Sequence, residues 1–358
     1  MNVFRVLLAL AAGLAGAILV LPLLLLIAPF LIVLLLSRTI ARWIEPAYTP
    51  DQQIVEFDPY IGWKARPLLN TYQLADDVYR LTTDSDGWRG KTKLSESDLV
   101  VFGDSFVFGH AIGDRHFFAN VNPRLRVKAI GVDGYNLVQG LLWMKRLSSQ
   151  IQNKLIVWFI FLGNDLFENL QVSMEGYRTP FVRQKNGTDQ WEIVSSHLSP
   201  APWPSGPRYY TSIFMEQLAG LFVPGPYSRR VFSACEYLIE EADRTIREAG
   251  SRLVVVSIPT KKLLSAELLR QMKGYLPDAS KFDPDLPDKI LAEICSSREL
   301  PFVAGKDYLD SKDYREFEVH WNERGNRRIA KLLEDLHLTY APTKVDRASI
   351  ETREAAII

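Results

Sequence analysis

Cysteine is almost missing from this chain: 358 residues hold two, Cys235 and Cys295. They stand in no metal-ligand spacing and no Cys/His cluster surrounds them, which argues against a zinc ribbon or finger. Two buried free thiols or one disulfide both fit, so the redox compartment stays open. A surplus of either charge is also missing. Lys+Arg and Asp+Glu are both 42, and a general nucleic-acid binder would show a basic excess. No internal repeat is present, nor a phosphate-binding P-loop. The GVDG at 131–134 lacks the further glycine of a dinucleotide fingerprint. No cofactor and no metal are therefore expected.

One hydrophobic run stands out. Residues 6–36 carry no charge, and about 20 apolar residues suffice to span a bilayer. A core helix apolar on every side over this length would be unusual, and a cleaved signal peptide has a shorter apolar stretch ending in small residues. The run is read as a retained anchor that contacts membrane lipid. Pro22 and Pro29 either kink one tilted helix or turn a re-entrant hairpin. Arg5 precedes the run, while Arg38 and Arg42 follow it, so the positive-inside balance barely sets an orientation.

Behind residues 1–45, taken as the anchor, residues 46–95 carry Pro59, Gly62, Pro67, Gly87 and Gly90 and are expected to be an irregular lead-in. A regular pattern then runs over 96–340. Short apolar runs at 99–102, 126–130, 155–161 (LIVWFIF), 252–258 (RLVVVSI) and 300–304 read as buried strands. Helical spacing falls at 137–150, at 228–249 with Ser228 as a candidate N-cap, and at 323–336. Strands alternating with helices predict a mainly parallel five-stranded sheet in a three-layer α/β/α sandwich. Residues 167–226, rich in proline and aromatics, read as an insertion over one end of the sheet, and 341–358 as a loose tail.

In an open α/β sheet, ligands sit beyond the carboxyl ends of the strands. Three strands end in Gly103-Asp104-Ser105-Phe106, in Gly131-Val132-Asp133-Gly134 and in Gly163-Asn164-Asp165; Glu318-Val319-His320-Trp321-Asn322 stands near the C-terminus. These blocks resemble those of the SGNH/GDSL hydrolases: GDSF for the serine block, then Gly134, Asn164 and His320 in the same order, over roughly residues 95–340. More narrowly, the chain looks like bacterial membrane-linked members related to alginate-type O-acetyltransfer proteins. The DGWRG of 86–90, the HWN-x-x-G ending and the IPTK of 258–261 carry that likeness. The resemblance implies the flavodoxin-like sandwich of that family. It departs at Gly163, which directly precedes Asn164. It departs again where the family's triad aspartate is expected, because Phe317 and Glu318 stand there.

The resemblance implies the roles. A serine hydroxyl needs a base to take its proton as it attacks; Ser105 is the nucleophile and His320 the base. Glu318 would hold the imidazole, since residues i and i+2 of an extended segment point to one side; Asp313 is the alternative acid. Backbone N–H groups of Ser105 and Gly134 and the Asn164 amide would bind the oxyanion. Gly134 would be glycine because a side chain would block the backbone's approach. Plainer readings cover the rest. Asp104 and Gly131 suit a strand-end turn, Asp165 a supporting position, His110 and His116 structural positions near the site, and Lys261 a solvated surface position. His197 and His337 carry no signal.

Three functions fit: a membrane-anchored serine esterase acting on acyl esters, of a small molecule or a carbohydrate; an O-acyltransferase modifying an envelope or exported polysaccharide; or a non-catalytic carbohydrate-binding or assembly protein. The anchor and the narrower likeness imply a bacterial inner-membrane location with the catalytic part in the periplasm.

Overall fold

The structure of the protein, a computed structural model, describes residues 27–29, 54–174, 177–186, 188–201 and 212–342. The chain divides into two units, Met1–Tyr48 and Thr49–Ile358. Of the first, only residues 27–29 are described, and they are helical. The rest of the apolar run and residues 343–358 lie outside the described residues. Among the described residues, no helix is long and apolar enough to cross a membrane.

The second unit opens on two antiparallel ribbons. β1 (Val55–Asp58) pairs with β2 (Gly62–Ala65), and β3 (Asn70–Leu74) with β4 (Val78–Thr82). The lead-in expected to be irregular is thus regular at its centre. Its breakers lie in and around turns: Pro59 in the first turn, and Gly62 at the start of β2, where φ is +98°.

Five parallel strands form the central sheet: β5 (Leu99–Gly103), β6 (Val127–Gly131), β7 (Leu155–Phe161), β12 (Arg252–Ile258) and β13 (Phe302–Ala304). Their spatial order is β13-β12-β7-β5-β6. β5 and β7 are buried throughout, the signature of a parallel sheet covered on both faces. Alternate residues feed two separate cores. Val100, Phe102, Ile156, Trp158 and Ile160 point into one; Leu99, Val101, Leu155, Val157 and Phe159 point into the other.

Four short or medium helices precede the insertion's own: α1 (Ser105–Phe108), α2 (Phe118–Val121), α3 (Leu137–Arg146) and α4 (Asp165–Glu168). The insertion carries the ribbons β8 (Ser173–Met174) with β9 (Tyr177–Arg178) and β10 (Phe181–Gln184) with β11 (Trp191–Val194), followed by α5 (Ser212–Gly220). Then come α6 (Pro226–Glu248), α7 (Ala266–Lys273), α8 (Leu286–Ser296) and α9 (Glu323–Tyr340). α3, α6 and α8 contribute to the first core, and α2 and α9 to the second. Helices therefore cover both faces of a five-stranded parallel sheet, as the alternation of strands and helices predicts.

One detail differs from the sequence reading, and one that it left open is settled. α6 starts at Pro226, whose missing N–H costs nothing at a first helical position. Ser228 is therefore inside the helix, where its Oγ accepts from Gly225 N at 3.0 Å and donates to Val223 O at 2.8 Å. Cys235 in α6 and Cys295 in α8 are both buried and unpaired with each other, so no disulfide forms.

Candidate active site

Ser105 opens α1 directly after β5. Asp104 caps that helix, its Oδ1 accepting from Phe106 N at 3.0 Å. Gly134 and Asn164 each stand three residues beyond the end of a strand flanking β5, namely β6 and β7. Parallel topology thus sends three of the sequence blocks to the carboxyl edge of adjacent strands.

The fourth block arrives from far along the chain. His320 Nε2 lies 2.7 Å from Ser105 Oγ, and its Nδ1 lies 2.6 Å from Glu318 Oε2. Serine, imidazole and carboxylate are hydrogen-bonded in series. The segment that presents them is not the extended one expected. Residues 316–320 form successive bends, and Glu318 Oε2 also accepts from Val319 N at 3.1 Å. The segment is held at both ends. Tyr314 bridges Trp321 as an isolated antiparallel pair, Arg315 N donates to His320 O, and Asn322 caps α9 through Arg324 N and Gly325 N. Lys261 is not a solvated surface lysine: its Nζ donates to the carbonyls of Arg315 at 2.6 Å and Glu316 at 2.9 Å. Phe106 packs against the rings of both His320 and Trp321 at 4.8 Å.

Asp313 is elsewhere. It is fully buried, with Arg328 Nη1 at 3.0 Å from Oδ2 and Arg324 Nε at 3.3 Å from Oδ1, and Oδ2 accepts from Asp310 N. Its carboxylate organises the start of α9.

Electrostatics favour a neutral imidazole beside an ionised acid. Burial lowers the His320 pKa below the usual 6.5, and the nearby His110 lowers it further, against the opposing pull of Glu318. Burial disfavours ionisation of Glu318. Its hydrogen bond to His320 and the charges of His320 and His110 outweigh that and hold its carboxyl down to about 2. Asp104 behaves in the opposite way. Burial pushes it up to about 7, and the neighbouring Asp133 adds to the rise. Asp165, also buried, is pushed well above the carboxylate range by desolvation and by Asp104. Asp104 Oδ2 lies 3.3 Å from Ser105 Oγ. The serine has one proton and two neighbouring acceptors, and the shorter contact, 2.7 Å against 3.3 Å, is the one to His320 Nε2.

The two glycines exchange explanations. A Cβ on Gly134 would meet only Met174 at 3.4 Å and Trp63 at 3.5 Å, but φ is +74°, a left-handed conformation that favours glycine. Gly131, read as a turn residue, is the crowded one. A Cβ there would stand 2.7 Å from the carbonyl oxygens of both Gly103 and Asp104. Asn164 Nδ2 donates to Glu168 Oε2 at 2.7 Å, which fixes the plane of its amide.

Sequence reasoning read His110 as a structural position near the site and gave Arg89 no role. His110 Nδ1 lies 2.7 Å from Asp133 Oδ2, its Nε2 lies 3.7 Å from Glu318 Oε1, and its ring is tilted against that of His320 at 4.6 Å. Buried Arg89, in the DGWRG stretch, grips the loop that bears His110 through the carbonyls of Phe108, Gly109 and Ile112. His116 instead pairs with Glu323 at 3.0 Å. Only the closeness of His110 to Ser105 in sequence could have signalled its place.

No family model matches the sequence, and no curated protein does. Solved structures do. One is a member of the lipolytic protein G-D-S-L family from Veillonella parvula, at 13% identity over 66% of this chain and 96% of that one, with a TM-score of 0.35. Another is a GDSL-like lipase from Bacteroides thetaiotaomicron, at 12% identity over 70% and 92%, with a TM-score of 0.36.

Proposed function

We propose that this chain is a serine ester hydrolase of the SGNH type, with Ser105 as nucleophile, His320 as general base and Glu318 as the acid that orients it. The observation that carries the proposal is the unbroken series Ser105 Oγ, His320 Nε2, His320 Nδ1, Glu318 Oε2, with links of 2.7 and 2.6 Å. Hydrogen-bond reach between nucleophile and base, with the base held by a third group, is what acyl transfer requires.

In the proposed reaction, Ser105 attacks the ester carbonyl as its proton passes to His320 Nε2. Glu318 stabilises the imidazolium. The backbone N–H groups of Ser105 and Gly134 and the Asn164 amide take the oxyanion, each such donor lowering the barrier by about 3 kcal/mol. His320 returns its proton to the leaving alcohol, and water repeats the sequence on the acyl-serine. A carbohydrate acyl ester is the proposed substrate. Residues 6–36 are the proposed anchor, placing the site at a bacterial inner membrane and on its periplasmic side. The apolar run and the sequence likeness to alginate-type O-acetyltransfer proteins support that reading.

A fluorophosphonate probe tests the chemistry. Wild type should label stoichiometrically and hydrolyse short-chain acyl esters, and Ser105→Ala should do neither while melting at a similar temperature. Labelling of the alanine variant would move the nucleophile elsewhere; an unreactive wild type would leave a scaffold. Turnover that depends on an added sugar acceptor would make it a transferase.

A further inference from the structure

His110 stands outside the series that joins Ser105 to Glu318, yet it completes a second grouping around the same acid. His110, Glu318 and His320 each offer one ligand atom, and these atoms all lie within 4.8 Å of one another. Both imidazoles face one carboxylate: His320 Nδ1 is 2.6 Å from Oε2 and His110 Nε2 is 3.7 Å from Oε1. Around a tetrahedral zinc with bonds near 2.0–2.1 Å, neighbouring ligand atoms stand about 3.3 Å apart. The ligand atoms lie within 4.8 Å of one another, so closing on an ion draws the widest pair in by up to about 1.5 Å, a movement within reach of side-chain rotation at the part-exposed His110 and Glu318.

The position of Asp133 is the second observation. Its Oδ2 lies 2.7 Å from His110 Nδ1. A proton donated from Nδ1 to that carboxylate places the lone pair of His110 on Nε2, the atom that faces Glu318. A carboxylate behind the far nitrogen is how metal-binding histidines are normally oriented. His110 and Glu318 keep 30% and 28% of their side chains exposed, so an ion can reach them. Two imidazoles and one carboxylate suit zinc and its neighbours rather than magnesium or calcium.

We infer that His110, Glu318 and His320 form a binding site for a divalent transition ion of the zinc type, held in place by Asp133, and that occupancy switches off Ser105. The inhibitory part rests on the hydrolase reading; the binding part does not. For His320 Nδ1 to bind the ion, its proton passes through solvent to Nε2. Nε2 then carries a hydrogen and cannot accept the one from Ser105. Glu318 exchanges its hydrogen bond with His320 for a bond to the ion, and nothing is oxidised or reduced. Water fills the remaining position.

The test is a titration of the full-length chain with Co2+, followed by displacement with Zn2+. Wild type and Ser105→Ala should each bind one Co2+ with the visible absorbance of a low-coordinate centre. His110→Gln, which loses a ligand, and Asp133→Asn, which loses its orienting partner, should each weaken binding at least tenfold. Zn2+ should raise the Tm of wild type, because an ion that binds only the folded state stabilises it. It should also slow fluorophosphonate labelling of Ser105, with EDTA restoring the rate. Equal Co2+ affinity in wild type and His110→Gln overturns the site. Should His110→Gln not fold, unchanged affinity in Asp133→Asn together with no Tm rise in wild type overturns it. A chain that binds Co2+ as expected but never labels, even without metal, sinks the hydrolase reading and leaves the site standing.

Discussion

Glu318 and His320 are two residues apart, and the carboxylate Oε2 of the first lies 2.6 Å from Nδ1 of the second. The link is made across a chain of bends, not along an extended strand. Asp313, the alternative acid of the sequence reading, is engaged by Arg324 and Arg328.

The two acids should therefore separate by mutation. Glu318→Gln should lower kcat by up to about 10⁴, with KM little changed, because the imidazole loses the partner that orients it. Asp313→Asn should keep near-normal turnover and lose on the order of 1–3 kcal/mol of stability, since it leaves buried polar groups short of a partner. Chemical denaturation and steady-state kinetics on both variants check this. The reverse pattern would reassign the acid.

The base should work at lower pH than an ordinary imidazole. His320 must be neutral to accept a proton, and burial lowers its pKa from 6.5. The acid limb of kcat/KM should accordingly fall below pH 6.5. Glu318, held down to about 2, stays ionised throughout that range. A limb above 6.5 would mean that the imidazolium is favoured in the site.

Asp104 should make the fold lose stability as pH rises. Its pKa is about 7 when folded, against an ordinary 3.8. The folded state therefore keeps a proton that the unfolded chain gives up. The stability this contributes is fully present below 3.8 and is lost as pH climbs to about 7. Asp104→Asn keeps the Oδ1 cap and has no proton to lose. Its Tm should exceed that of wild type by a few degrees at about pH 8, and the gap should narrow as pH falls and close only below 3.8. A constant gap across that range would refute the assignment.

Gly131→Ala should damage stability and activity together. The new methyl would sit 2.7 Å from the carbonyl oxygens of Gly103 and Asp104, and these precede Ser105. Relieving the clash should cost roughly 1–3 kcal/mol and displace the nucleophile. Gly134→Ala should act through its positive φ instead, at roughly 1–2 kcal/mol. Melting curves and probe-labelling rates for the pair check this.

The full-length chain should stay with membranes through a high-salt or carbonate wash. Salt releases proteins held by charge, because it screens such contacts; it does not release a buried apolar segment. A full-length chain soluble without detergent would refute the anchor.

Much of the fold was legible because its signals are local. LIVWFIF at 155–161 is buried on both faces and can be little else than a central parallel strand. The glycine-terminated ends of β5 and β6 likewise mark where strands stop. The sequence alone also determined the blocks that hold Ser105, Gly134, Asn164 and His320, since each is a short motif beside such a strand or helix.

What only the tertiary structure decided are the relations between distant segments. Lys261 tethers carbonyls 54 and 55 residues away. His110 meets Asp133 and Glu318 from separate parts of the chain. Gly131 is glycine because β6 ends against the backbone of β5. None of these leaves a periodic or compositional trace, because a contact between segments is fixed by how the sheet and its loops pack, and many residue types could stand at either end of it. The choice between Glu318 and Asp313 belongs with them. Spacing left both acids open; Glu318 lies 2.6 Å from His320 Nδ1, and Asp313 is engaged by Arg324 and Arg328.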